Sequence, residues 1–354
     1  MRKPLQQILA AAGLASMVLV TVRGDQAAQS LSGRDPLEVA RVLAARYPAQ
    51  PIMSYIPALS WSGQLRLSQL TKEPQWREKA MKDIEAFTSG RTPAMTEPAR
   101  LTSLAGALAF FDAAALAGDR TAGGLAGKIA MSLVPDAAGK HVNFATGWTD
   151  DMFMAGAVLS RVGSDTTTHR ALHLLLAAYT KKLQRPDGLF IHAENGPYAW
   201  GRGNGFALLG LTEALTHLPS TWQGRDDVLD IYRRQVAALV KHQSDDGSWR
   251  QVVDEPASYR ELTVTAMTVA ALARGISLGW IDRATYEPIM NRGWQAVAAR
   301  VNADGTVKDV CSGTGAGETK EYYLNRPVVN GADDRGGAMA LLAAIEMASL
   351  KVKG

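Results

Sequence analysis

A nearly unbroken helical periodicity runs through the chain from about residue 30 to its end. Apolar residues recur at spacings of three and four, the pattern of helices that bury one face, and Gly, Pro and Asp interrupt it at intervals. With 47% hydrophobic residues, the chain has enough apolar surface to exclude intrinsic disorder. We predict twelve helices, over residues 36–47, 58–71, 74–90, 97–117, 120–134, 149–162, 165–184, 202–218, 225–243, 258–278, 283–300 and 334–350.

A second regularity lies between the helices. An Asp-Gly pair follows a helix at Gly188, Gly247 and Gly305, and these glycines are 59 and 58 residues apart. Asp-Gly followed by β-branched or aromatic residues is typical of a tight hairpin. A period of this length predicts a repeat of stacked helical pairs.

Twelve helices taken as six pairs can close into a ring. An open solenoid would leave apolar end faces that need polar caps, and neither terminal helix has that character. Four of the segments expected to lie inside are rich in small residues, which allow close approach: 154–158, 201–207, 263–267 and 336–340. The sequence therefore predicts an all-α fold, a single (α/α)6 barrel over residues 30–354.

The amino terminus has the layout of a secretory signal. Arg2 and Lys3 precede an uncharged apolar run, Ile8–Val22, which ends at Arg23 and Gly24. The run is shorter than the roughly twenty residues that a membrane-spanning helix needs. We predict a signal peptide over residues 1–24 and an exported protein, periplasmic or extracellular; the alternative is an uncleaved amino-terminal anchor.

Charge and cysteine content exclude two further classes. Loss of the three cations in the signal lowers the formal charge from +4 to +1. No basic cluster remains to predict nucleic-acid binding or another membrane partner. The chain has one cysteine, Cys311, so it cannot be a disulfide-stapled scaffold.

In an (α/α)6 barrel the inner helices all begin at one end. Their first-turn N–H groups and dipoles converge there and favour an anion such as a uronate carboxylate. The segments at these predicted helix starts are Trp148–Asp151, Trp200–Phe206, Tyr259–Glu261 and Asp333–Arg335.

Three groups among and near these segments are candidates for chemistry. Asp150 and Asp151 are either first-turn acids stabilised by the helix dipole or, beside Trp148, a general acid with a raised pKa. Arg202 has a guanidinium fork suited to a carboxylate. His192, in a loop after a predicted hairpin, is either structural or part of the site.

No cofactor or metal is predicted. His169 and His173 are four residues apart on a helix, but the third ligand and the glutamate of a zinc motif are missing. Gly313–Gly317 lacks the spacing and the preceding strand of a dinucleotide-binding loop.

A series of short motifs resembles the unsaturated glucuronyl and rhamnogalacturonyl hydrolases of glycoside hydrolase families 88 and 105. The resemblance covers most of the chain after the signal and is strongest from residue 146 to 345. The motifs are Trp148–Met154, Leu159–Gly163, Gly188–His192, Trp200–Gly205, Asp246–Gln251, Gly313–Gly315 and Gly336–Ala343.

The resemblance implies an (α/α)6 barrel that removes a 4,5-unsaturated uronic acid from the non-reducing end of lyase-generated oligosaccharides. In these families an aspartic acid protonates C4 of the enol ether and activates water for C5, and the hemiketal then opens. That aspartate matches Asp150, with Asp151 the second candidate. The substrate-binding positions implied or expected here are Trp148, His192, Trp200, Arg202 and Phe206.

The chain departs from the family pattern at two places. A second aspartate usually precedes the fourth helix, whereas the corresponding stretch here, Arg100–Gly106, has no acid; Glu97 is nearby. Phe206 stands where the family usually has Trp. Two alternatives follow: a barrel glycosidase that acts on another, saturated uronide, or a non-catalytic oligosaccharide-binding protein.

Overall fold

The computed structural model of the protein describes residues 34–95 and 97–353, so the predicted signal segment lies outside the described residues. Twelve helices of ten or more residues in this part of the chain agree with the predicted number, and two short ones accompany them. In chain order the helices are α1 (Pro36–Arg46), α2 (Tyr55–Thr71), α3 (Pro74–Thr88), α4 (Leu101–Leu104), α5 (Ala107–Ala117), α6 (Arg120–Leu133), α7 (Asp150–Leu159), α8 (Thr166–Leu183), α9 (Gly201–His217), α10 (Arg225–Val240), α11 (Leu262–Ser277), α12 (Arg283–Ala299), α13 (Lys320–Leu324) and α14 (Asp334–Lys353).

Six helices form a closed inner ring. Around the ring, α2 packs on α5, α5 on α7, α7 on α9, α9 on α11, α11 on α14, and α14 returns to α2. The outer helices α1, α3, α6, α8, α10 and α12 pack outside them, mostly on their sequence neighbours. The predicted (α/α)6 barrel is confirmed.

Burial distinguishes the two rings. Every residue of α7 after the first is buried, as expected for a helix enclosed on all sides. The outer helix α8 buries one stripe, including His169, Leu172 and Leu176. It is capped by Asp165, whose side chain accepts from two first-turn N–H groups. None of the helices in the described residues is long and apolar enough to span a bilayer.

Small residues set the spacing of the inner ring, as predicted. The backbones of α7 and α9 meet at Gly156 and Gly210. A Cβ on Gly210 would lie 2.3 Å from the carbonyl oxygen of Met152, and one on Gly156 would lie 3.0 Å from that of Gly210. No side chain larger than hydrogen fits at Gly210 without moving one helix.

The Asp-Gly turns are present, and the predicted hairpins form as single antiparallel bridges at two of them, Gln184 with Phe190 and Val301 with Val307. No such bridge is found across the turn at Gly247 in the described residues. Gly188, Gly247 and Gly305 have φ of 96°, 86° and 80°, each in a tight turn. The segments after the last two turns pair with strands further along the chain. Strand β1 (Trp249–Arg250) pairs antiparallel with β2 (Arg260–Glu261), and β3 (Val307–Cys311) with β4 (Val328–Gly331).

Two helix starts also differ from the prediction. The segment predicted over 97–117 begins at Leu101, because Glu97 precedes Pro98 and such a residue is disfavoured in helical conformation. It is divided into α4 and α5 at residues 105–106. Ser258 and Glu261 have the spacing of a capping box, but the segment predicted from residue 258 begins at Leu262 instead. The carboxylate of Glu261 itself caps α11, accepting from the N–H of Val264.

Charged side chains of alternating sign line the barrel at the end where the inner helices finish. In order they are Arg66, Glu346, Arg274, Glu213, Arg161 and Asp112, each paired with the next. Five of the inner helices each supply one of these side chains, and Arg161 lies two residues after the end of α7. Ser62 of α2 donates to Asp112 and completes the circle. We call this set the ion-pair ring. A cavity of about 430 Å³ lies beside it.

Candidate functional site

The inner helices α2, α7, α9, α11 and α14 all begin at the end of the barrel opposite the ion-pair ring. Their first residues are Tyr55, Asp150, Gly201, Leu262 and Asp334. The strand pairs lie at the same end, because β2 leads directly into α11 and β4 ends three residues before α14. This end, which we call the mouth, brings together the predicted site residues.

Asp150 lies against His192 at the mouth. Asp150 is the first residue of α7, and its side chain is 16% exposed. Its Oδ2 lies 3.3 Å from Nε2 of the fully buried His192. The two atoms are not aligned as a hydrogen bond, and neither has another partner among the described residues.

Backbone hydrogen bonds place His192 beside α7. The N–H of Thr149, just before Asp150, donates to the carbonyl oxygen of His192 at 3.0 Å. The N–H of His192 in turn donates to the carbonyl oxygen of Tyr198 at 2.9 Å. The loop histidine is therefore fixed relative to the start of α7.

Aromatic rings surround the imidazole of His192 on three sides. Its centroid lies 4.4 Å from that of Trp200, 5.3 Å from that of Trp148 and 5.8 Å from that of Tyr323. Nδ1 of His192 is 2.9 Å from the hydroxyl of Tyr323. Sequence reasoning found the tryptophans and missed Tyr323, which is 131 residues away along the chain.

Asp151 faces away from His192. Its Oδ2 accepts from the N–H groups of Thr146 and Gly147, at 2.6 and 2.9 Å, and from the hydroxyl of Tyr179 on α8, at 2.6 Å. Burial, which outweighs these bonds, raises the pKa of Asp151. Its carboxylate holds the loop before α7 against an outer helix. Asp151 therefore has a structural role.

Arg202 lies one residue into α9 and is almost fully buried. Its Nη2 donates to the carbonyl oxygens of Cys311 and Ser312, both at 2.7 Å, and its guanidinium lies 5.1 Å from the centroid of Trp200. Both hydrogen bonds use Nη2, so they leave Nη1 and Nε available to a carboxylate.

Phe206 lies deeper than the other predicted site residues. Its ring is fully buried, stacks on Phe153 at 5.9 Å and meets Tyr55 edge to face at 5.6 Å. The contact of Phe206 with the sugar stays a prediction. The half-buried Tyr55 lies over it in the first turn of α2, and burial raises the pKa of Tyr55 to about 12.

Several buried polar atoms at the mouth have no hydrogen-bond partner among the described residues. In the described part of the chain they include Asp150 Oδ2, His192 Nε2, Trp200 Nε1 and Thr149 Oγ1. Buried polar groups in native proteins are usually paired. A cluster of unpaired ones therefore indicates a place where a polar ligand or water completes the bonding.

The position of the missing second aspartate is occupied by neutral residues. The short helix α4 carries the exposed Thr102 and the half-buried Ser103 there, and Glu97 is exposed in the preceding loop. Among the described residues we find no group of three or more His, Cys, Asp or Glu placed to hold a metal ion.

Comparison with known sequences identifies relatives over part of the chain. It is 26% identical over 181 residues to the unsaturated 3S-rhamnoglycuronyl hydrolase of Formosa agariphila, covering 45% of this chain and 48% of that one. It is 29% identical over 196 residues to the unsaturated rhamnogalacturonyl hydrolase YesR of Bacillus subtilis, covering 51% and 54%. The chain thus spans about half the length of these curated relatives.

Comparison with solved structures covers more of the chain. The family 105 glycoside hydrolase of C. acetobutylicum superposes with a TM-score of 0.78 at 18% identity, over 88% of this chain and 99% of that one. At this identity the likeness shows the fold alone. Residues 38–351 match the family model described as Glycosyl Hydrolase Family 88. The resemblance found in the motifs is confirmed, and the chain belongs to glycosyl hydrolase family 88.

Proposed function

We propose that the protein hydrolyses oligosaccharides that carry a 4,5-unsaturated uronic acid at the non-reducing end, with Asp150 as the proton-transferring group. Family membership and the names of the relatives, both hydrolases of unsaturated uronides, support this substrate class. The geometry at the mouth of the barrel supports the choice of Asp150.

The observation that carries the proposal is the contrast between the two aspartates. Asp150 is partly exposed at the mouth and lies beside an unpartnered His192 nitrogen. Asp151 is buried, and its carboxylate accepts four hydrogen bonds through Oδ2. A general acid must reach its substrate, and of the two only Asp150 is placed to do so.

The chemistry is hydration of an enol ether. The acid form of Asp150 gives its proton to C4, and the positive charge that develops is shared by C5 and the ring oxygen. Water then adds to C5 and returns a proton to the Asp150 carboxylate, so that the enzyme is regenerated. The hemiketal at C5 opens, the sugar becomes a keto acid, and the aglycone leaves from C1 as an alcohol.

The charges at the mouth suit the uronate. The amino-terminal ends of five inner helices point there, and helix N-termini attract anions. Arg202 adds a buried cation with two nitrogens not used in its backbone contacts. The half-buried Trp148 presents an aromatic surface beside Asp150 for a sugar ring.

The neutral residues on α4 bear on which uronide the protein accepts. Thr102 and Ser103 offer hydroxyls where relatives have an acid, so the hydroxyl groups of the sugar meet a different surface. A saturated uronide is the competing substrate, and release of an ordinary aryl glucuronide would favour it. Ligand binding by calorimetry without any product would favour a non-catalytic binding protein.

The test follows the ultraviolet absorbance of the conjugated uronate, which disappears on hydration. Lyase-digested pectin, ulvan and glycosaminoglycan are the substrates to compare. We expect Asp150→Asn to abolish turnover while the matched Asp151→Asn keeps most of it, because an amide still accepts from Thr146 and Gly147. Loss in Asp151→Asn with turnover retained in Asp150→Asn would reverse the assignment.

We also propose that the protein is exported. The basic start and apolar run of the first 24 residues support this proposal. Fractionation of cells producing the full chain tests it: we expect activity in the periplasm or medium, and activity confined to the cytosol would refute it.

A further inference from the structure

Tyr323 completes a chain of contacts that ends at the carboxyl of Asp150. It lies on the short helix α13, and its side chain is fully buried. Its hydroxyl oxygen accepts from the N–H of Gly317 at 3.1 Å and lies 2.9 Å from Nδ1 of His192. On the other side of the imidazole, Nε2 lies 3.3 Å from Asp150 Oδ2.

The direction of the hydrogen bond between Tyr323 and His192 follows from counting protons. Burial raises the pKa of Tyr323 to about 12, so the phenol keeps its proton. The N–H of Gly317 can only donate, so the phenol proton must go elsewhere. His192 Nδ1 is the only other partner of this hydroxyl in the described residues.

If Tyr323 donates, Nδ1 is an acceptor and the proton of the neutral imidazole sits on Nε2. The opposite tautomer would point the Nε2 lone pair at a carboxyl oxygen and leave the buried phenol proton without an acceptor. Both consequences are unfavourable. The aromatic rings of Trp200 and Trp148 hold the imidazole in this orientation.

We propose that Tyr323 is a positioning residue that fixes His192 as its Nε2–H tautomer, so that Asp150 Oδ2 receives a hydrogen bond and the acidic proton of Asp150 is carried on Oδ1. The structural part of this inference stands by itself, and its consequence for turnover rests on the proposed function.

The arrangement has a direct consequence for proton transfer. Oδ2 of Asp150 is buried, although the side chain as a whole is partly exposed to solvent. An Nε2–H donor occupies Oδ2 in both protonation states of the acid. When the Oδ1–H bond breaks and the C4–H bond forms, Oδ2 keeps its donor. When water adds to C5, its proton returns to Oδ1. Catalytic hydrogen bonds often become well aligned only when substrate is bound.

The tautomer can be read without any substrate. Long-range ¹H–¹⁵N correlation spectra of the protein labelled at histidine distinguish a protonated ring nitrogen from an unprotonated one. The chain has six histidines, and a His192→Gln variant assigns the resonance. We expect Nε2 protonated and Nδ1 unprotonated for His192. A protonated Nδ1 with an unprotonated Nε2 would overturn the inference.

Variants test the role of the hydroxyl. We expect Tyr323→Phe to shift the His192 nitrogen resonances towards the other tautomer and to lower kcat by about 10- to 100-fold, the size seen when the partner that orients a metal-ligating histidine is removed. KM should change less than about twofold, since no substrate contact is lost.

Tyr198→Phe is the matched control. Tyr198 packs against Tyr323 with ring centroids 5.5 Å apart, and no hydrogen bond of its hydroxyl is found in the described residues. We expect it to leave the His192 spectrum and kcat unchanged. Equal effects of the two variants would assign the change to loosened packing and overturn the positioning role, as would an unchanged spectrum in Tyr323→Phe.

The two proposals fail in different ways. If the wild-type protein turns over no unsaturated uronide, the proposed function fails, while the wild-type spectrum still decides the tautomer. If turnover is found and depends on Asp150 but the spectrum shows the Nδ1–H form, the function holds and the role of Tyr323 is refuted.

Discussion

Replacing Glu346 by Gln tests how the end of the barrel remote from Asp150 is held together. Glu346 lies on α14 within the ion-pair ring, and its side chain is 6% exposed. Its Oε1 accepts from Arg66 Nη1 at 2.6 Å and from Arg274 Nε at 3.1 Å. The Glu346→Gln variant would keep the shape of the side chain and remove its charge.

The size of the effect follows from the pKa of Glu346. Burial alone would raise this pKa, but Arg274 and Arg66 outweigh it and hold the value at about 2, against an ordinary value of 4.5. At roughly 1.4 kcal/mol per pKa unit, the ionised carboxylate contributes about 3 kcal/mol to the free energy of unfolding at pH 7.

The sign of the pH dependence follows from the same shift. Because the folded-state pKa is lowered, the contribution is complete above the unfolded-state value of 4.5 and is lost as the pH falls towards 2. The difference in stability between wild type and Glu346→Gln should therefore be about 3 kcal/mol at pH 7 and smaller by about 1 kcal/mol at pH 4.

Urea titrations of both proteins at the two pH values measure this difference. Glu85→Gln is the matched control, because Glu85 pairs with Arg91 at 3.3 Å with both side chains about 60% exposed. An exposed pair of this kind should contribute less than about 1 kcal/mol. Equal losses in the two variants, or a difference that does not change with pH, would refute the electrostatic account of the ring.

Three further predictions concern the mouth. Asp151→Ala should lower the free energy of unfolding by about 1–3 kcal/mol, because Tyr179 loses its acceptor, and should retain turnover when assayed below its melting temperature. A folded but inactive Asp151→Ala variant would contradict the structural role of Asp151. Arg202→Ala should raise KM for uronate substrates at least about tenfold, since a charged hydrogen bond is lost; an unchanged KM would exclude that contact. Chelators should leave the rate unchanged, and a loss restored by added metal would refute the metal-free mechanism.

Local sequence signals predicted most of the fold. The periodicity placed all twelve long helices, and Asp165 marked the start of α8 because its cap contacts the following turn only. The start of α2 was missed by three residues. Pro57 lies in the first turn, where its absent N–H is not needed, and the prediction began after it. Tyr55 was thus left out of the site.

Contacts between distant segments could not be predicted in this way. β3 pairs with β4 across α13, in addition to the single bridge of Val307 with Val301 across its own turn, and nothing local predicts the pairing with β4. The ion-pair ring takes one side chain from each of five inner helices and Arg161 from just beyond α7, so no single helix carries its pattern.

Some residues of the candidate site could be predicted from local sequence signals, and others could not. Asp150 and Arg202 stood out because they occur at inner helix starts, and the motifs added His192 and Trp200. No local sequence pattern predicted that Tyr323 belongs to the site, because only folding brings it to His192. Phe206 followed from a family position, and the structure places its ring beneath Tyr55 instead of at the surface.

The most direct test of the central claim is the rate at which the conjugated uronate disappears in wild type and in Asp150→Asn. With lyase-digested polysaccharide as substrate, we predict turnover by the wild type and none above background for the variant, with equal melting temperatures. Turnover by Asp150→Asn at the wild-type rate would contradict the claim that this carboxyl protonates the sugar.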